Sequence, residues 1–251
     1  MEDPAVKVAR LLENSSYAIV FTGAGVSADS GIPTFRGPDG LWRRYRPEEL
    51  ASPWGFERNP RLVWEWYAWR MRIIASARPN AAHYAIAALE RRGLVRAVIT
   101  QNVDGLHQRA GSKNVIELHG NIWRARCTRC GYRWILESPP SDDELPLRCP
   151  RCGSLARPDV VWFGEPLPEA ALRRAFEEAG KADLVIVVGT SGVVEPAGSI
   201  PVHAKERGAR LVNVNPEPNR YTGMADVNVE ERAAPFFERL ARVLGLELPR
   251  E

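Results

Sequence analysis

Apolar positions along the chain follow two spacings in turn, and the alternation predicts helices laid between strands. Over residues 3–14, Val6, Val8, Ala9, Leu11 and Leu12 recur at three- and four-residue intervals, as on a helix with one buried stripe. Tyr17-Ala18-Ile19-Val20-Phe21 then runs apolar without a break, which is how a strand covered on both faces reads. Further extended runs fall at 95–99, 115–118, 160–163, 184–188, 211–214 and 227–229. Helical spacing is predicted over 60–77, over 81–92 between an Asn80 cap and Gly93, over 169–180, in a segment ending at Arg207, and over 234–244. Fully apolar strands alternating with helices point to an α/β fold, a doubly wound, Rossmann-like parallel sheet with helices on both faces.

In such sheets ligands bind at the carboxyl edge of the strands, and polar residues collect there in this chain. After the first strand comes Gly23-Ala24-Gly25-Val26-Ser27-Ala28, a glycine turn that lets backbone approach a pyrophosphate. The usual crossover helix is cut short by Ser30-Gly31-Ile32-Pro33, since proline forces Ile32 out of the helical region. A loop carrying Phe35 and Arg36 follows and reads as a lid over that site. Later strands end in Gln101-Asn102-Val103-Asp104, in His119-Gly120, in Gly189-Thr190-Ser191-Gly192 and in Asn213-Val214-Asn215. An ordinary dinucleotide dehydrogenase carries an acid about twenty residues past its glycine turn, at the end of its second strand. Here that interval is loop, so the ribose contact is expected from elsewhere, with Asn215 the best candidate. Of the four histidines, His119 stands at a strand end before a glycine, where an imidazole can act as general base; His107 is next in line.

Cys127-x-x-Cys130 and Cys149-x-x-Cys152, each followed by glycine, have the spacing of a four-thiolate metal site. Zinc is expected, with iron in a rubredoxin-like site as the alternative. Four thiolates leave no open position for water, so the metal is expected to be structural. The module, residues 124–157, reads as a zinc ribbon inserted into a larger domain formed by 1–123 and 158–251.

Composition narrows the function less than these motifs do. At 251 residues and 45% hydrophobic, the chain can bury a sizeable core, and a net charge of +3 without a basic run gives no case for nucleic acid. Only four of the 34 basic residues are lysine, a bias that genome composition or growth at high temperature could produce. No apolar stretch is long enough to cross a bilayer, and the first residues do not read as a signal peptide, so a cytoplasmic protein is expected. Paired cysteines in that compartment favour metal over disulfide.

The string Gly23-Ala24-Gly25-x-Ser27-x-x-Ser30-Gly31-Ile32-Pro33-x-Phe35-Arg36 resembles the signature of the sirtuins, the NAD-dependent protein-lysine deacylases, and Thr100 to His107 resembles a second motif of that family. The resemblance runs from about Tyr17 to Ala233. It implies an NAD site made by Gly23, Ala24, Gly25, Ser27, Ile32, Phe35, Arg36, Gln101, Asn102, Asp104, Gly189, Thr190, Ser191, Asn215 and Ala233. Within it, Asn102 and Asp104 hold the nicotinamide end and Asn102 joins His119 in catalysis. It implies acylated-lysine proteins as substrates and nicotinamide and O-acyl-ADP-ribose as products; a monomer is expected, though the sequence does not itself give the oligomeric state. Val160, Phe163 and Val193 are expected to flank the substrate, the segments 160–163 and 192–194 receiving it as an added strand. Ala51, Tyr67 and Arg70 resemble the alanine and Tyr-x-x-Arg of desuccinylating sirtuins, and helical i, i+3 spacing puts the last two on one face. Two rival readings remain at this stage, a hydride-transferring dehydrogenase and a non-enzymatic zinc-ribbon module.

Overall fold

The computed structural model describes residues 2–249. Helix α1 (Pro4–Asn14) starts where Asp3 accepts a hydrogen bond from the Ala5 amide at 2.9 Å, with proline in the first turn where no N–H is missed. Strand β1 (Ala18–Thr22) leads into a 3-10 turn, Ala24–Ser30, closed by Gly31 at φ 82°. Short helices α2 (Pro47–Leu50) and α3 (Pro53–Arg58) precede the long α4 (Pro60–Ser76) and α5 (Ala81–Arg91). Then come β2 (Ala97–Thr100), α6 (Leu106–Arg109), β3 (Val115–Glu117), β4 (Gly120–Cys127), β5 (Arg133–Ile135) and β6 (Ala156–Val160). The chain finishes through α7 (Glu169–Lys181), β7 (Leu184–Val188), α8 (Ser199–Glu206), β8 (Arg210–Val214), β9 (Val227–Val229) and α9 (Ala233–Val243).

Six strands form one parallel sheet in the order β3-β2-β1-β7-β8-β9. Its central strands β2, β1 and β7 are buried on both faces, and the period of two divides them cleanly. Ala18 and Val20 of β1, with Leu184, Ile186 and Val188 of β7, face α1, α5 and α9. Ile19 and Phe21, with Val185 and Val187, face α7 and α8. This is the doubly wound α/β sheet that unbroken apolar strands imply.

The remaining strands make a separate antiparallel sheet, β5-β4-β6, which packs with α3 and α4 around a third core rich in tryptophan. Helix α4 explains its many aromatics here: Trp64, Trp66, Tyr67 and Met71 all enter that core, and the Trp64 indole donates to the Ala156 carbonyl at 2.9 Å. One expectation is corrected. The extended run at 160–163 does not return to the large sheet; its strand is β6, which ends at Val160 and pairs with β4. The ladder stops because the next amides turn elsewhere, Trp162 to the Glu165 carboxylate at 2.9 Å and Phe163 to the Ala51 carbonyl at 2.9 Å. Among the described residues no helix is long and apolar enough to cross a membrane.

Candidate functional site

The strand order reverses at β1, which lies between β2 and β7, and a crevice at the carboxyl ends follows from that reversal. Two glycine turns form its floor. Gly23 donates to the Val188 carbonyl at 3.0 Å and Gly25 to the Gly189 carbonyl at 2.8 Å. A Cβ on Gly25 would lie 2.6 Å from Gly189 Cα, and one on Gly23 would lie 2.6 Å from Thr190 Cβ. Gly189 itself sits at φ 62°. The two turns therefore lie backbone against backbone, and only glycine permits that approach.

Behind this floor run two buried polar chains. The Asn80 amide donates to His83 Nδ1 at 3.1 Å, which fixes the His83 proton on Nε2, 3.2 Å from Ser27 Oγ. Ser27 then donates to Asp104 Oδ2 at 2.7 Å, while Asp104 Oδ1 accepts from the Leu106 amide at 2.9 Å. Burial pushes the Asp104 carboxyl above its ordinary value, against these two bonds, and holds His83 well below the usual histidine range. In the second chain His107 Nε2 lies 2.9 Å from Thr22 Oγ1, which donates to Thr100 Oγ1 at 2.8 Å, which accepts the Asn102 amide at 3.0 Å. His107 Nδ1 has no partner among the described residues, and burial lowers this histidine to about 4. Asn102 points its side-chain amide at the Gly23 carbonyl, 2.9 Å away, and Gln101 reaches Thr190 Oγ1 at 2.9 Å. Ser27, Gln101, Asn102, Asp104, Gly189 and Thr190 are thus brought together as the sequence motifs implied.

His119 is held at the front of the same crevice. Its Nδ1 lies 3.0 Å from the Gln101 carbonyl, a contact that only an N–H can satisfy, so Nε2 carries the free lone pair. Burial lowers its pKa and the bond to Gln101 opposes that shift; the imidazole is neutral at pH 7, the state a base requires. His107 is neutral too, but it is sealed within the protein.

Around the crevice the other predicted residues fall in three groups. Asn215 bonds Asn213 at 2.8 Å at the ends of β8 and β9, and Ala233 starts α9 beside the 3-10 turn, whose Asp29 pairs with Arg232 at 3.1 Å. Ala24 is half-buried within that turn and Ser191 is exposed beyond β7. Ile32 and Phe35 are half-buried against the third core, and Arg36 is exposed next to them. On the small-sheet side, Ala51, Tyr67 and Arg70 are buried and Phe163 is 45% exposed, while Val193, beyond β7 of the large sheet, is 58% exposed.

Two expectations shift here. Val160 turns into the third core and does not line the crevice; Val161, whose amide donates to the His119 carbonyl at 2.9 Å, is the half-buried neighbour. Alternation would have separated the two had the strand's end been known. The amides of Val161, Trp162 and Phe163 are all engaged within the chain, so a substrate strand on that side has the Val161 and Phe163 carbonyls to bond, not those N–H groups.

The region around Tyr67 and Arg70 has an unusual electrostatic character. Arg70 is 9% exposed, its guanidinium 4.9 Å from the Phe35 ring, 4.8 Å from Trp66 and 5.6 Å from Tyr67. It has no carboxylate within 4.0 Å among the described residues. Tyr67, 3% exposed, accepts from Trp162 Nε1 at 3.0 Å and donates to no group among the described residues. Two donors one turn apart on α4 thus have no acceptor among the described residues.

The four cysteines come together at the tip of the small sheet, their sulfurs within 4.8 Å of one another. Cys127 and Cys152 are 3.4 Å apart and Cys130 and Cys149 3.7 Å, close to the edges of a tetrahedron with Zn–S bonds of about 2.3 Å. Amides of Arg129 and Cys130 point at Cys127 Sγ, and that of Arg151 at Cys149 Sγ, which steadies thiolates. The donor set fits a structural zinc, well away from the crevice floor.

Comparison with known proteins agrees with this architecture. The Sir2 family model matches residues 23–196. The NAD-dependent protein deacylase of Aeropyrum pernix is 59% identical over 240 residues, 96% of this chain and 97% of that one. A crystal structure of a Sir2 homolog–NAD complex superposes with a TM-score of 0.90 at 51% identity, covering 95% of this chain and 93% of the other. A Sir2–p53 peptide–NAD+ structure superposes with a TM-score of 0.87 at 38% identity, covering 95% and 98%.

Proposed function

The chain belongs to the Sir2 family and is an NAD-dependent protein deacylase, and from that premise we propose that it removes succinyl and other acidic acyl groups from lysine as well as acetyl. The carrying observation is the pair of acceptor-less donors, Tyr67 and Arg70, in a buried aromatic box. An unpaired buried cation is costly, and a carboxylate resolves the cost with two parallel bonds from the guanidinium and a third from the tyrosine. Ala51, being small, leaves room for the longer chain.

In this reading NAD is a co-substrate consumed in each turnover. Asn102 and Asp104 hold its nicotinamide end at the head of the two polar chains, and the Gly23–Gly25 and Gly189–Ser191 turns take the phosphates. Asn215 and Ala233 serve the adenosine end. The acyl oxygen displaces nicotinamide from the ribose; Phe35 shields that carbon from water. His119 Nε2 then takes a proton from a ribose hydroxyl as it attacks the acyl carbon; a water adds to that carbon, the lysine amine leaves with a proton, and the acyl group stays as an ester on ADP-ribose. Zinc holds the small sheet and takes no part. Reduced thiolates at that site suit a cytoplasmic enzyme.

Incubation with NAD and a series of acyl-lysine peptides, followed by mass spectrometry, tests the proposal. Succinyl-lysine should be consumed at a rate comparable to or above acetyl-lysine, with O-succinyl-ADP-ribose as product. Turnover of acetyl-lysine alone would refute the acidic-acyl reading and leave the deacylase standing.

A further inference from the structure

The Trp162–Tyr67 contact carries a consequence for selectivity. An indole N–H can only donate, so the 3.0 Å contact between Trp162 Nε1 and Tyr67 Oη makes the phenol oxygen the acceptor. A phenolic hydrogen lies in the plane of its ring, with two positions open to it. With the indole on one side, the hydrogen of Tyr67 must occupy the other. Both residues are 3% exposed, so water does not compete for either position.

Trp162 is itself firmly held. The Arg157 guanidinium lies 3.5 Å from its ring centroid, and Phe56 packs on it at 5.2 Å. Arg157 grips Glu165 with two bonds of 2.7 and 2.8 Å, and Glu165 also accepts the Trp162 amide at 2.9 Å. The Val160 carbonyl completes the clamp, taking a further Arg157 bond at 2.9 Å. A half-buried ion pair thus fixes the indole, and the indole fixes which way the tyrosine hydrogen points.

We propose that Trp162 is a positioning residue for acyl selectivity: it orients the Tyr67 hydroxyl as a donor toward the carboxylate of an acidic acyl group. The inference rests on the acidic-acyl reading of Tyr67 and Arg70 and adds a residue that touches neither the acyl carboxylate nor NAD. An acetyl group has no carboxylate for Tyr67 to meet, so it is indifferent to this orientation.

Trp162→Phe keeps an aromatic ring over Arg157 and removes the N–H. Relative to the native enzyme, kcat/KM for a succinyl-lysine peptide should fall by about tenfold, the low end for a bond to a charged group. The value for the acetyl-lysine form of the same peptide should stay within about twofold, since no bond to it is lost. In a Tyr67→Phe background the same substitution should have no further effect on succinyl turnover, because its target is gone. Should Trp162→Phe fail to fold, Trp162→Tyr replaces it; its hydroxyl can accept as well as donate, so the Tyr67 hydrogen is freed to turn and the same loss is expected. Equal losses on both peptides, or a full effect persisting without the Tyr67 hydroxyl, would overturn the proposal. Arg70→Met separates the layers: if it spares succinyl turnover, the acidic-acyl reading has failed; if it abolishes that turnover while Trp162→Phe does nothing selective, only the role of Trp162 has.

Discussion

Arg70→Met probes the acyl site where its electrostatics are most exposed to measurement. Methionine keeps the length and much of the volume of the side chain but not its charge. In the free enzyme two effects oppose each other. Contacts between the guanidinium and the rings of Phe35, Trp66 and Tyr67 are lost, about 0.5–2 kcal/mol each at most. Against this, a charge that is 9% exposed and has no carboxylate partner no longer needs to be desolvated, which returns several kcal/mol. The thermal midpoint should therefore move little, by about 3 °C in either direction. With succinyl-lysine bound the balance differs, because the acyl carboxylate is left buried and unpaired, at roughly 2–5 kcal/mol. At low substrate that is about thirtyfold or more in kcat/KM. Acetyl-lysine should change by about twofold or less, having no group for Arg70 to meet. The assay is nicotinamide release against paired peptides differing only in the acyl group, with a melting curve alongside. Equal losses on both peptides together with a large drop in the midpoint would show that Arg70 supports the fold, and the reasoning would fail.

Three other outcomes are expected. His119→Ala should lower acyl transfer by about 10²–10⁴-fold while NAD still binds by calorimetry, and retention of most activity would move the base elsewhere. Purified protein should carry about one zinc per chain, and a strong chelator should lower the thermal midpoint; an unchanged midpoint in metal-free protein would dismiss the structural role. His107 has a folded pKa of about 4 against an ordinary value of 6.5, so the unfolded chain binds more protons between those values. Its contribution, about 3 kcal/mol, is complete above the ordinary value and is lost as pH falls toward the folded one. Urea midpoints should fall across that window, less steeply in His107→Gln; identical slopes would contradict the assignment.

Features set by neighbours in sequence were legible before any coordinates. The four zinc ligands come as two tight pairs, the glycine turns abut their strands, and Tyr67 and Arg70 share a face because a helix repeats that way. What escaped reading depends on partners far away along the chain. The bond from Trp162 to Tyr67 joins residues 95 apart in the chain. By residue type His107 is a candidate base, and its enclosure beneath Thr22 and Thr100 removes it from the crevice. At Val160 and Val161 the sequence offers two like residues, and which one faces inward follows from the register of β6 on β4. The sequence around Gly25 suggests a backbone freed to meet phosphate, yet the backbone it first meets is that of Gly189.

The seam between β1 and β7 also bears on how the molecule comes into being. Ser16 and Tyr17 donate to the Asp183 carboxylate, the first of these 167 residues away, and both glycine turns meet across the same seam. Strands β1, β2 and β3 are neighbours in the sheet and lie within the first 117 residues, so they can pair while the ribosome is still at work. The nucleotide floor cannot, because half of it is supplied by Gly189 and Thr190. Contacts of such long range make for slow assembly, and until they form, the edge of β1 that β7 will cover stays open to other strands. A nascent chain stalled before β7 would hold a partial sheet and a nearly finished metal ribbon but no place for NAD. Competence to bind NAD therefore appears late in synthesis, and its arrival reports that both halves of the sheet have met.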